Sequence, residues 1–147
     1  MYKRILVAIE HSSADATILS HVLPLARMTR AQLLLLHVAD GWAARAYDDL
    51  ELRESEEMKD DRAYLERLAN DLTAEGLPTE WRLGRGEPAS IIVEMAQKEH
   101  VDLVAMATHG HRLINDLLRG TTVNKVRHDL EIPVLLLKAR PTTNSGH

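Results

Sequence analysis

Four short runs, nearly free of polar residues, recur along the chain: Ile5-Leu6-Val7-Ala8-Ile9, Leu33-Leu34-Leu35-Leu36-His37-Val38, Leu103-Val104-Ala105-Met106 and Val134-Leu135-Leu136-Leu137. None alternates apolar with polar residues, so as a strand none would have a wet face. Runs of this length without alternation read as strands buried on both sides, the pattern of a parallel sheet covered above and below. A fifth segment, Glu80-Trp81-Arg82-Leu83, does alternate. It reads as a strand with one side less buried, at a sheet edge, and Gly84 and Gly86 are expected to break it.

Between these runs lie segments with helical spacing. Ile18, Val22, Leu23, Leu25 and Ala26 recur near a 3.6 period to about Thr29, with Ser12 or Ser13 as N-cap. Residues 39–50 read as irregular, and the charged stretch from Glu51 to about Arg67 as a solvated helix face. That helix becomes amphipathic at Leu65, Leu68, Ala69 and Leu72, stops at Gly76 and cannot continue past Pro78. Pro88 suits the first turn of the next helix, whose inner face is Ile91, Ile92, Met95 and Ala96, before the fourth strand at 103–107. Strand and helix alternate throughout, which predicts βαβ units, right-handed crossovers and a parallel sheet with helices on both faces.

At 147 residues the chain suits one domain, expected over residues 1–139, with 140–147 as a disordered tail. It has no Phe, so its core must be built from Leu, Val, Ile, Ala and Met. A net charge of −4 gives no basic footprint for nucleic acid or an anionic membrane. No Cys is available for a disulfide, a thiolate nucleophile or a Cys-bound zinc. No signal-peptide pattern opens the chain, and no apolar run approaches the roughly 20 residues of a membrane span, so the cytoplasm is the expected address.

In an open parallel sheet, ligands sit beyond the carboxyl ends of the strands, where strand order reverses. The loops after Glu10, Val38 and Ala107–Gly110 converge there. The stretch from Ala107 to Thr122 holds Gly110 and then Gly120-Thr121-Thr122. Glycine admits close backbone approach, and a helix capped by Thr121 or Thr122 offers its positive end to a phosphate. Equally, Gly120 can be the stop of a short helix containing Leu113, Leu117 and Leu118, with Thr121 as an ordinary cap.

The spacing Ala107-x2-Gly110-x9-Gly120-Thr121 resembles the nucleotide motif G-x2-G-x9-G-[ST] of the universal stress protein family. The flanks resemble it too: Lys3–Ile9 its first strand, Leu36-His37-Val38 its second-strand ending, Gly86-Glu87-Pro88 its Gly-x-Pro helix start, and Ile132–Leu136 its final strand. The resemblance spans about residues 2–139. It implies a Rossmann-like three-layer α/β/α sandwich with a five-stranded parallel sheet, order 3-2-1-4-5, and a homodimer. It also implies a stress-response regulator that binds ATP, leaving open Mg²⁺ accompanying the phosphates. Carried over, the binding residues are Glu10, Val38, Gly110, Gly120, Thr121 and Thr122; Ala8, Ile9, Ala107, His109 and Arg112 complete the candidate set, Arg112 to meet a phosphate oxygen or else to face solvent, with no catalytic residue and no metal ligand. Two positions depart from the pattern: Ala107 replaces the first glycine, and Glu10 the usual Asp.

Other chemistry has little support. His109-x-His111 lacks a third metal ligand at a telling spacing. His37 fits a satisfied rim histidine better than a base, and Ser12 and Ser13 fit caps better than nucleophiles. There is no P-loop lysine and no carboxylate cluster for a Mg²⁺ cage. Two alternatives to a nucleotide-binding regulator remain: a dimeric interaction protein with no nucleotide, and a slow ATPase using His37, His109 or Glu10. The strand Val134–Leu137, at an edge in the implied topology, is the expected dimer contact.

Overall fold

The computed structural model describes residues 1–40, 50–108 and 120–139, with side chains for all of these except 40, 50–55 and 120. The elements are β1 (Arg4–Ala8), α1 (Ala14–Thr29), β2 (Gln32–Asp40), α2 (Leu50–Ala74), β3 (Thr79–Gly86), α3 (Pro88–Lys98), β4 (Leu103–Thr108), α4 (Gly120–Asp129) and β5 (Val134–Lys138). The five strands form one sheet in the order β3-β2-β1-β4-β5, and every pairing is parallel. This is the expected sandwich and the expected strand order.

Alternation along β1 divides the core into two layers. Ile5, Val7 and Ile9 pack with Leu33 and Leu35 of β2 against Ile18, Val22 and Ala26 of α1 and Leu65, Ala69 and Leu72 of α2. Leu6 and Ala8 pack with Leu34, Leu36 and Val38 against Ile92 and Ala96 of α3 and Val123 and Val126 of α4. Each fully buried aliphatic side chain contributes about 1.5–3 kcal/mol. Sheet faces this apolar are stable only with both helical layers in place. At the amino ends of the strands, Asp102 accepts from the backbone N–H of Lys3 and Arg4, and Arg4 bridges Glu80 and Glu99.

Several boundaries differ from expectation. Gly84 and Gly86 do not break β3; they lie inside it, paired with Val38 and Asp40. The reason is tertiary. Ile91 of α3 lies over Gly84, where a Cβ would sit 2.7 Å from its Cγ2. Gly86, at φ +133°, then turns the chain toward α3 in a conformation that side chains rarely adopt. Because β3 continues, β2 also extends, to Asp40. Ser13 occupies the N-cap position of α1 without a side-chain capping bond. The loop residues His109, Gly110, His111 and Arg112, the short helix expected around Leu113–Leu118, and the tail from 140 lie outside the described residues. Among the described residues, no helix is long and apolar enough to cross a membrane.

The Ile91–Gly84 contact can be tested by overpacking it. Gly84→Ala should cost about 1–3 kcal/mol in urea unfolding. In an Ile91→Ala background, which removes the clashing atom, the same substitution should cost less than half as much.

Candidate functional site

β1 and β2 finish side by side, with Ile9 N–H donating to the Leu36 carbonyl at 2.8 Å. Beyond that bond lies a recess lined by Ala8, Ile9 and Glu10 from the end of β1, Leu36 and Val38 from β2, and Pro88 and Ile92 from α3. The lining is aliphatic apart from Glu10. Pro88 is set there by the start of α3. It occupies the first helical turn, and Glu87 caps it, accepting from Ala89 N–H at 3.2 Å and Ser90 N–H at 3.0 Å. Ser90 Oγ donates to Glu87 at 2.6 Å, and Lys125 of α4 reaches Ser90 Oγ at 3.1 Å. The Ser90 hydrogen bond holds the Glu87 carboxyl below the usual glutamate range, helped by the backbone N–H groups and by Lys125.

The turn after β1 is shaped by a residue to which the sequence assigned no role. Asp15 is 2% exposed. Its carboxylate accepts from the backbone N–H groups of Glu10, His11 and Ser12 at 2.7, 2.9 and 3.2 Å, and from Tyr64 Oη–H at 2.7 Å. Three consecutive amides curled around one carboxylate make an anion nest filled from within the chain. The curl places His11 at φ +63°, an uncommon conformation for any residue with a Cβ. Burial pushes the Tyr64 phenol up, and the bond to Asp15 adds to that shift. The available sequence signal was an acid in the first turn of a helix that follows a polar turn. Glu10, fixed by its own N–H, accepts from Ser12 Oγ at 3.3 Å.

Of the residues expected to bind a ligand, Ala8, Ile9, Glu10 and Val38 come together in the recess. Ala107 is fully buried, and its side chain belongs to the layer packed on α1 and α2, the face opposite Val38. Its Cβ is therefore not directed at the recess. Thr121 and Thr122 stand in the first turn of α4 rather than at its cap; Thr121 is exposed and Thr122 is buried. Gly120 begins that helix, which parallel topology starts at the same sheet edge as the recess. His109, Gly110 and Arg112 lie outside the described residues. His37 sits on the α1–α2 side, between the Ile9 carbonyl and Asp61, and does not face the recess.

Compared with known proteins, residues 1–138 match the model of the universal stress protein family. Universal stress protein D of Escherichia coli K12 is 33% identical over 141 residues, covering 89% of this chain and 94% of that protein. The solved structure of MJ0577 from Methanocaldococcus jannaschii is 25% identical with a TM-score of 0.82, covering 97% of this chain and 99% of that one. The universal stress protein of Archaeoglobus fulgidus in complex with dAMP is 21% identical with a TM-score of 0.64, covering 93% and 98%.

The cap at the recess rim makes a stability prediction. Glu87→Gln keeps an acceptor oxygen but removes the charge, and should lower stability by about 0.5 kcal/mol at neutral pH, small because the carboxylate is exposed. The wild-type carboxyl is depressed in the fold, so its contribution is full above the ordinary glutamate range and is lost as pH falls through and below it. Urea unfolding at pH 7 and pH 3 should therefore show the difference at the first and not at the second.

Proposed function

The chain belongs to the universal stress protein family, and from that premise we propose that it binds an adenine nucleotide, ATP foremost, as a cytoplasmic stress-response regulator rather than an enzyme. The observation that carries this reading is the recess itself: aliphatic walls from Ala8, Val38, Pro88 and Ile92, with Glu10 among the residues that line it. Such walls suit the flat, apolar faces of a purine, and a carboxylate beside them suits a ribose hydroxyl. In this reading, the amino end of α4 with Gly120, Thr121 and Thr122 meets the phosphates, joined by Gly110, His109 and Arg112, and Ala107 leads the chain into that loop. The dAMP complex of the Archaeoglobus fulgidus protein, which shares the fold, supports the ligand class.

Among the described residues, no group of three or more His, Cys, Asp or Glu side chains is arranged to hold a metal ion. Any Mg²⁺ in this reading would accompany the phosphates. A bound ATP would supply a polyphosphate anion and a base to be read. The chain's own task is to hold them: Val38 and Ile92 exclude water from the base, and Glu10 orients the sugar. Slow ATP hydrolysis is less well supported, because both ring nitrogens of His37 are engaged on the other face, leaving Glu10 as the described candidate base.

A second reading, an interaction protein of the same fold without nucleotide, is favoured by how closed the recess is: Ala8, Ile9 and Val38 are 3%, 2% and 4% exposed. Both readings share a proposed homodimer through β5. Leu136 is 36% exposed on that edge strand, with Val134, Leu135 and Leu137 half-buried around it.

Calorimetry with ATP, ADP and AMP separates the two readings. Binding is expected, with Glu10→Ala weakening it about tenfold, the worth of one hydrogen bond to a charged group. Absence of both heat and thermal shift at millimolar nucleotide would leave the interaction reading standing alone. Light scattering at micromolar concentration should give a dimer that Leu136→Lys converts to monomer; a monomeric wild type would remove the β5 contact from the proposal.

A further inference from the structure

At the amino edge of the sheet, away from the recess, α3 and α4 end side by side and leave a groove of about 330 Å³ between them. Its floor is aliphatic and buried: Ala96 and Val101 from the α3 side, and Leu130 from the end of α4. His100 stands on the α3 wall, and Asp129 and Glu131 on the α4 wall. Both helices finish at the groove, so their partial negative charge adds to that of the two carboxylates. Asp129 Oδ1 lies 3.1 Å from His128 Nδ1, whereas Glu131 stands next to Ile132, the apolar residue that closes the wall. A groove built this way suits an aliphatic stem that ends in a positive charge.

The α4 wall leads directly into β5, an edge strand of the sheet. Ile132 and Val134 both pack on the layer of α3 and α4, while Leu135 and Leu137 pack on the opposite layer. Alternation therefore puts Leu136 and Lys138 on the groove's side of the sheet, and both are exposed. Two copies that pair their β5 edges about a two-fold axis perpendicular to the sheet run antiparallel. Each side of one sheet then continues as the same side of the other. With Leu136 against its own copy on the axis, the partner's Lys138 comes to lie beside Val134. Ile132 is two residues, about 7 Å, further along, a span that a lysine stem and a glutamate side chain cover between them.

We propose that the groove is a socket for the partner's Lys138, which lays its stem along the apolar floor and pairs with Glu131. The inference rests on the β5 homodimer proposed above and adds a charged lock at each end of the paired strands. It also sets the register, because aliphatic residues alone would let two such strands slip. A lysine on an open edge has an opposite use, which is to blunt pairing with other chains. Charge complementarity decides between the two uses here. The partner's ammonium arrives at two carboxylates and two helix carboxyl ends, where it is attracted.

Charge exchange in the full chain tests the socket. Both positions are exposed, so substitutions there leave the fold intact. Sedimentation equilibrium at low salt should show Glu131→Lys and Lys138→Glu each weakening the dimer about thirtyfold, the effect of turning two symmetry-related attractions into repulsions. The double variant restores opposite charges in exchanged places and should return to within about threefold of wild type. High salt should shrink these differences. Single variants with wild-type affinity, a double variant weaker than either single one, or a Lys138→Ala variant that dimerises more tightly would each overturn the socket and leave the β5 dimer standing. A monomeric wild type would overturn both. No nucleotide enters this test, so its failure is distinct from a failure of the binding reading.

Discussion

The structure depends on β1 having no polar side chain on either face from Ile5 to Ile9. Such a strand cannot sit at an edge or face water, so it takes the centre of the sheet and needs a helical layer above and another below. Two layers require the chain to cross the sheet after each strand, and right-handed crossovers leave every strand pointing the same way. The ends of β1, β2 and β4 then gather at one edge. A recess at that edge is therefore a consequence of how β1 is buried. What fills its walls is decided by parity: Ala8, Leu36 and Val38 fall on the α3–α4 side, and Val7, Leu35 and His37 on the other.

Given that frame, Asp15 decides the shape of the rim. A strand that ends and a helix that begins within a few residues leave several amide donors without backbone partners. A serine cap would satisfy one of them. The buried carboxylate satisfies three and adds the Tyr64 hydroxyl, which also ties α2 to α1. Removing one acceptor in such a place strands several donors together, so the turn is rigid out of proportion to its length. Glu10 belongs to the recess, and its position follows from a residue five places along the chain.

Strands β1, β2, β4 and β5 and the apolar stripes of the helices were legible because burial on two faces, or on one stripe, writes itself into local composition. The strand order was legible only through resemblance to a family, since no run of residues states which strand is its neighbour. Gly84 and Gly86 were misread because glycine weakens a strand locally, whereas here the approach of Ile91 makes a missing side chain the fitting choice. Of the recess residues, Glu10 and Val38 followed from the rule that ligands meet strand ends, and Ala8 and Ile9 are the strand positions that lead up to Glu10. The direction of Ala107 was also decidable in principle. In register with Val7's partner Ala105, it shares a parity that points away from Val38. Asp61 and Tyr64 carried no such signal, and Asp15 only that of an acid in the first turn of α1. Their partners lie 49 residues apart for Tyr64 and Asp15, and 50 for Asp61 and His11, and only the folded chain brings them together.

The two faces of this sheet edge share one turn. Glu10 lines the recess on one side, and its neighbour His11 closes the bridge to Asp61 on the other. Whatever displaces His11 acts on the backbone that carries Glu10, because the same Asp15 carboxylate holds both amides. The Asp15 nest, with four hydrogen bonds on one carboxylate, keeps any such displacement small.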